Sequence, residues 1–403
     1  MKILQLCKKF PYPLKDGESI AVNSLARSLT KQGCEITLLA MNTSKHFFQL
    51  EKPLVDLNYY RNIYTIPVDN RIKINEAFAN LFTSESYHIS RFISPAFKKK
   101  LIGLLKKESF DVVQLETLYL APYIPIIRKH SNALVAMRAH NVEHEIWSRI
   151  TRNTTLGPKK WYLAHLTNKL KNYEIAQLRN YDILLPITQR DLEIFQKIGY
   201  KNKAVVTPIG ISFDDYQPRF DSFHKDLTIS FIGSLDWMPN QEGLIWFLEK
   251  VWGTLLGKFP QLKLHIAGRN TPDWIKSKRI KNVVFHGEVP DAADFINEHS
   301  IMVVPLLSGS GMRAKILEGM ALGKVVVTTS MGLEGIEAKD KKQVLIANDA
   351  KEFVQVFDFC YRLNGELEMM GRNAQSFVTK CYDPDEIADR LIQNYASLVT
   401  EVI

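Results

Sequence analysis

Cysteine is scarce in this chain, and its four copies stand too far apart to act together. Cys7, Cys34, Cys360 and Cys381 share no metal-ligand spacing and outline no disulfide framework. No run of 18 or more uncharged apolar residues exists, which excludes a helical membrane span. The opening MKILQLCKKFPYP has too short an apolar stretch for a signal peptide, because Lys8 and Lys9 interrupt it, and it reads as a first strand. A cytoplasmic, reducing location is therefore expected. Acidic metal-binding patterns are equally thin. The only D-x-D, Asp383-Pro384-Asp385, lies at a helix start, where helix capping accounts for it. The run His140-Asn-Val-Glu-His144 does not have the H-E-x-x-H spacing of a zinc protease. No metal site is assigned, and no nucleic-acid-binding motif is present.

What the chain does have is length, alternation and an uneven charge. At 403 residues with 46% apolar content, it is long enough for at least two domains. Residues 1–200 hold 29 Lys and Arg against 17 Asp and Glu, whereas residues 201–403 hold 23 against 26. The surplus of the first half concentrates in Pro95–Lys107 and Pro158–Tyr173, where Lys alternates with aliphatic and aromatic residues at roughly helical spacing. Such helices suit either an anionic membrane surface or an ordinary solvated basic face.

Strand-like and helix-like segments alternate along the chain, which predicts α/β architecture. Lys2–Leu6 reads as a strand, Ala21–Gln32 as a helix ended by Gly33, and Glu35–Ala40 as the next strand. Further strands are expected at 110–116, 134–137, 182–186, 204–210, 227–233, 262–268 and 283–289. The polar stretch 211–226, broken by Pro218, reads as an interdomain linker. Domains are therefore expected at 1–210 and 227–382, with a final helix over 383–403. In open α/β sheets, function gathers just past the carboxyl ends of strands. His140 stands at such a place. Glu116 and Glu143 are candidate carboxylates facing an acceptor, with a purely structural role as the stronger reading of each.

The most informative stretch is Ile301–Gly335, which reads strand, glycine loop, helix, strand. Its loop holds Gly309 and Gly311 and ends at a helix start near Arg313, a place where exposed backbone N–H groups and the helix dipole favour an anion. Arg313 and Lys315 put two cations in the first turn, where the dipole disfavours them unless an anion is bound. A surface turn with solvated charges is the plain alternative.

Glu318-Gly-Met-Ala-Leu-Gly-Lys-Val-Val-Val-Thr-Thr closely resembles the donor-binding segment of retaining glycosyltransferases of family 4. The resemblance implies a GT-B architecture, two Rossmann-like domains facing each other across a cleft, with the first binding the acceptor and the second the nucleotide sugar. It also implies that Glu318 bonds the ribose and that a final helix braces the N-terminal domain. The first Glu of the family's E-x7-E pair falls at Ser310, a departure that leaves the donor sugar open. Arg138–Glu145 resembles the family's H-N-x-E stretch, in which the His stabilises the reaction centre. Catalytic roles are accordingly expected of His140, Arg313 and Lys315. Donor binding is expected of Gly17, Gly287, Val289, Ser310, Gly311, Met312 and Glu318. The family's usual cations after the first strand of the second domain are absent here. Ser234, Asp236, Asn240, Gln241 and Glu242 stand there instead, with no cation before Lys250. The implied reaction transfers a sugar from a nucleotide-sugar substrate to a glycan or lipid-linked acceptor, with neither metal nor cofactor and with no protein nucleophile assigned. A non-catalytic relative and another GT-B activity, such as a nucleotide-sugar epimerase, remain as alternatives.

Overall fold

The computed structural model describes every residue except 15, 50–56, 84, 215, 310, 364 and 403. The chain divides into two compact units, Met1–Gly210 with Pro384–Ile403, and Ile211–Asp383.

The first unit is built on seven parallel strands: β1 Lys2–Cys7, β2 Glu35–Thr43, β3 Asn62–Val68, β4 Val112–Leu115, β5 Leu134–Ala139, β6 Ile183–Pro186 and β7 Lys203–Ala204. Their order across the sheet is β3-β2-β1-β4-β5-β6-β7. Strands such as VVQL and LVAMRA are buried along their whole length, as expected of a parallel sheet covered on both faces. One face carries the helix Pro95–Lys107, whose Phe97, Leu101, Leu104 and Leu105 enter the core beside Leu4, Leu6 and Val113. Fully burying a side chain of this size is worth about 1.5–3 kcal/mol. The other face is covered by the helix Gly17–Lys31 and by the last helix, Pro384–Val402. Val22, Leu25 and Leu29 meet Ile387, Leu391 and Tyr395 there, and Lys31 pairs with Asp385. Asp385 thus serves an ion pair inside this unit.

The second unit repeats the plan with six strands: β8 Thr228–Ile232, β9 Lys263–Ala267, β10 Val283–Gly287, β11 Ile301–Val304, β12 Val325–Thr328 and β13 Leu345–Ile346. All pair in parallel, in the order β10-β9-β8-β11-β12-β13. The stretch 211–226, expected as a linker, packs into this unit instead. Ile211 is buried and its N–H donates to the Tyr382 carbonyl at 2.9 Å. Phe223 is buried too, and the buried Lys324 ammonium donates to the Arg219 carbonyl and to Ser222 Oγ. Apolar residues spaced through a polar segment were the unread sign. Among the described residues, no helix is long and apolar enough to cross a membrane.

Both sheets reverse strand order at the same point of their plan, between β1 and β4 and between β8 and β11. In such sheets the loops diverge at that point, and the carboxyl edge there is the usual ligand position.

Candidate functional site

At the β8/β11 switch point of the second unit, the turns after the strands come unusually close. A Cβ on Gly268 would stand 2.2 Å from the Gly233 carbonyl oxygen, so no larger residue fits there. The Gly268 N–H donates to the Gly287 carbonyl at 2.7 Å, which links the ends of β8, β9 and β10. Gly287 has φ +71°, a conformation that favours glycine. Val289, just beyond, packs against the apolar cluster around Phe295 and Ile296.

After β11 the chain turns through Gly309 and Gly311, with φ +113° and +79°, and starts the helix Ala314–Ala321. Ser310 lies outside the described residues. Met312 packs partly against the cluster containing Ile316 and Met320. Arg313 is the residue capping this helix, its side chain does not bond the helix backbone, and its guanidinium donates to the Gly311 carbonyl. No acidic residue stands in the helix's first turn. Lys315 reaches back across the crevice. Its ammonium donates to Asn240 Oδ1 at 2.6 Å and lies 5.4 Å from the Phe231 ring centroid. Burial, reinforced by the neighbouring Arg313 charge and only partly offset by Glu318, lowers the Lys315 pKa to about 8. Two cations and a helix N-terminus thus converge at the strand-order switch point, the usual ligand position in such sheets, and an arriving anion would raise the Lys315 pKa.

Glu318 follows one helical turn later. Burial raises its pKa, while a hydrogen bond from the Tyr216 hydroxyl at 3.1 Å and the Lys315 charge act the other way. The expected loop after β8 is held by Ser234 Oγ donating to Asp236 at 2.5 Å and by Asn240 Nδ2 donating to the Ser234 carbonyl at 2.8 Å. This loop does have a cation against it, contrary to the sequence expectation. Arg269 Nε donates to Ser234 Oγ at 3.2 Å, and the Arg269 carbonyl accepts the Leu235 N–H at 3.0 Å. Arg269 comes from the end of β9, 35 residues further along the chain. Its signal was available only through the parallel pairing of β8 with β9.

In the first unit, the corresponding position holds a buried polar network around one carboxylate. Glu116, at the end of β4, is fully buried. It accepts hydrogen bonds from Gln5 Nε2 and Gln114 Nε2, both at 2.5 Å, and its second oxygen lies 2.9 Å from His140 Nε2 and 3.6 Å from Arg138 Nη1. Burial alone would raise its pKa, but Arg138, His140 and Gln5 outweigh it and bring it down to about 2. An ionised Glu116 makes His140 Nε2 the donor, which fixes the ring and presents Nδ1. Glu116 is therefore committed to this network, which leaves it no capacity as a carboxylate facing an acceptor.

Glu143 has the opposite character. Burial pushes its pKa up to about 7, with Lys8 opposing and Glu174 adding to the rise, and the Tyr119 hydroxyl donates to it at 2.9 Å. Glu174 caps the helix Glu143–Asn153 through the N–H groups of residues 143 and 144 and bonds His144 Nδ1 at 2.6 Å, so His144 is structural. Glu145 pairs with Arg190 at 2.7 Å. A cavity of about 10 Å³ lies among Thr117, His140, Asn141, Glu143 and Glu174, room for at most one water. Gly17 is the first residue of its helix, with Asp16 as cap accepting from Ser19 N–H at 3.0 Å and nothing within 4 Å of its missing Cβ. Its neighbours Asp16 and Glu18 pair with Lys9 and Lys8. Among the described residues, no group of three or more His, Cys, Asp or Glu could hold a metal ion.

Comparison with known proteins fits this picture. A Klebsiella pneumoniae protein described as an uncharacterized 44.6 kDa protein in the cps region is 23% identical over 402 residues, covering 96% of this chain and 97% of its own. Sucrose-phosphate synthase from Thermosynechococcus elongatus superposes with a TM-score of 0.71 at 15% identity, over the whole length of both chains. The Anabaena protein HepE in complex with UDP gives a TM-score of 0.66 at 13% identity, covering 98% of this chain and all of its own. With two Rossmann-like parallel-sheet units and these structural neighbours, the fold is that of GT-B glycosyltransferases. Residues 226–362, nearly the whole of the second unit's sheet and the crevice with Arg269, Arg313, Lys315 and Glu318, match the family described as glycosyl transferases group 1.

Proposed function

We propose that the protein is a retaining glycosyltransferase that moves a sugar from a nucleotide-sugar donor to a glycan or lipid-linked acceptor without a metal ion. The observation that carries this reading is the pair of cations, Arg313 and Lys315, at a helix N-terminus in the β8/β11 crevice. Departure of the nucleotide breaks the bond between the anomeric carbon and a diphosphate oxygen and leaves negative charge on that oxygen. Preorganised cations and backbone N–H groups stabilise such charge, and a single donor of this kind is typically worth about 10²–10³-fold in rate. Arg313 suits bidentate contact with phosphate oxygens, and Lys315 adds a compact charge. Arg269 extends the positive surface to the loop at Ser234.

Glu318 is the residue we assign to the ribose hydroxyls, with Tyr216 orienting its carboxylate. Gly287, Val289, Gly311 and Met312 supply backbone around the nucleotide. In the first unit, His140 is the hydrogen-bonding group for sugar hydroxyls, held in one ring orientation by Glu116. The acceptor hydroxyl adds to the anomeric carbon on the face the diphosphate leaves, and its proton passes to the departing phosphate oxygen. The Klebsiella relative's description favours a polysaccharide acceptor.

The test is a thermal-shift panel of nucleotides and nucleotide sugars on the wild type and Glu318→Ala. A ligand at 100 times its Kd stabilises by about 2.7 kcal/mol. A shift for one nucleotide class that is lost in Glu318→Ala supports the donor site and names the base. Flat traces across the panel would overturn it. Turnover of the donor only when an acceptor is added then separates transfer from epimerisation.

A further inference from the structure

The two basic helices singled out in the sequence do not offer their apolar faces to a membrane. Phe97, Leu101, Leu104 and Leu105 of Pro95–Lys107 lie in the core, as do Leu166 and Leu170 of Pro158–Gln177. Other large apolar side chains are exposed in the first unit, among them Phe78 at 64%, Phe82 at 80%, Leu156 at 90% and, near the start of Pro158–Gln177 itself, Trp161 at 65%.

These residues share one region. The Tyr162 hydroxyl donates to the Ala77 carbonyl at 3.3 Å, and Lys169 donates to the Asn80 carbonyl, so the short helical segment 74–82 lies along the helix Pro158–Gln177. Phe78 and Trp161 directly adjoin the residues joined by that Tyr162 bond. The Phe78 and Phe82 rings meet edge to face at 5.7 Å, and Trp161 stacks on His165. Leu156 stands just ahead of the helix start.

Charge on this region is one-sided. Arg71 and Lys73 are paired with Asp69 and Glu76 at 2.9 Å, so the surplus is Arg152, Lys159 and Lys160, with no carboxylate in residues 150–165. Lys159 and Lys160 occupy the first turn of a 20-residue helix that has no acidic residue there. The helix dipole disfavours cations at that end, and a nearby anion reverses the sign of that interaction. Aromatic side chains ringed by Lys and Arg match the interfacial zone of an anionic bilayer, where rings sit at headgroup depth and cations meet phosphate. A protein partner would offer no comparable reason for the surplus of cations.

We infer that the first unit docks on an anionic lipid surface through Phe78, Phe82, Leu156 and Trp161, with Arg152, Lys159 and Lys160 on the headgroups. This docking is independent of the transfer reaction and of the nucleotide site in the second unit.

The full-length protein is tested by co-sedimentation with phosphatidylcholine vesicles, with and without phosphatidylglycerol, at low and high salt. Wild type is expected to pellet with the anionic vesicles at low salt and to be released at high salt. Phe82→Ser with Trp161→Ser, and separately Lys159→Glu with Lys160→Glu, are expected to weaken the partition at least tenfold, on the order of what two interfacial anchors or two lysines supply. All four positions are on the surface, and unchanged circular dichroism and Tm verify that each variant is folded. Wild type remaining in the supernatant, or folded variants pelleting as well as wild type, would overturn the inference. Gel filtration without lipid adds one more outcome. Dimers lost in Phe82→Ser with Trp161→Ser would make this face an interface between copies and refute the lipid assignment.

Discussion

The two units reverse their strand order at equivalent points, yet they fill the resulting crevices in opposite ways. In the first unit, Glu116 is surrounded by Gln5, Gln114, His140 and Arg138, so a buried charge is met from several sides. In the second, Lys315 donates to a neutral partner, Asn240, between a second cation and Glu318, and burial lowers its pKa to about 8. The fold supplies the place and the residues decide its use. A carboxylate bonded from several sides holds a side chain such as His140 still, whereas in the second unit two neighbouring cations stand at a helix N-terminus.

The largest effect that would sharpen this contrast is on stability. Glu116→Ala leaves Arg138, which is fully buried, without its carboxylate. Breaking one side of such a pair costs about 3–5 kcal/mol, so urea denaturation should show that loss. A change under about 1 kcal/mol would show that the network is not coupled as its geometry implies. Lys315→Ala should behave in the reverse sense. Transfer should fall about 10²–10³-fold, while the free protein loses nothing, since the lysine's burial works against folding. The sign follows from the depressed pKa: between pH 8 and 10.5 the unfolded chain binds the extra proton, so stability gained with rising pH in that window should vanish in the variant. Equal losses of stability in both variants would break the comparison.

A smaller effect separates the two buried carboxylates of the first unit by pH. Glu116, lowered to about 2, contributes stability that is complete above its unfolded value near 4.5 and disappears as pH falls toward 2. Glu143, raised to about 7, contributes stability that is complete below about 4.5 and lost as pH rises through 7. Glu143→Gln should therefore flatten the decline between pH 5 and 8 and leave the acid limb unchanged. Chemical denaturation across that range checks it, and an unaltered slope would remove Glu143 as its source.

Much of this was legible in the sequence because it is local. Most of the strand–helix alternation, the Gly309–Gly311 loop and the helix start after Arg313 follow from short-range periodicity and turn chemistry, although β3 was not read and the strand expected over 204–210 is only Lys203–Ala204. Contacts between distant segments were not legible. Arg269 meets Ser234 only because β9 lies beside β8, and the carboxylate of Glu174 that caps the helix at Glu143 comes from 31 residues away. The exposed Phe78, Phe82 and Trp161 were hidden by the same limit, since periodicity locates an apolar face but not what covers it. The stretch 211–226 misled because its polar average masked Ile211 and Phe223, which are buried.

The smallest predicted effect concerns a long-range contact inside the first unit. Tyr395, on the last helix, is fully buried and donates to Gln114 Oε1 at 2.8 Å across 281 residues of chain. Gln114 in turn donates to Glu116, so the terminal helix reaches the His140 network through one amide. Tyr395→Phe preserves the ring's packing among Ile3, Leu391 and Ile387 and removes only the hydroxyl. It should cost about 1 kcal/mol, the usual net worth of one neutral hydrogen bond, read as a shift in the denaturation midpoint at constant slope. The telling measurement is the double variant with Glu116→Ala. If Tyr395 acts through Gln114 on the carboxylate, the two losses should fall short of additivity by at least about 0.5 kcal/mol. Strict additivity would mean that the helix is anchored by packing alone, and that the polar network ends at the sheet.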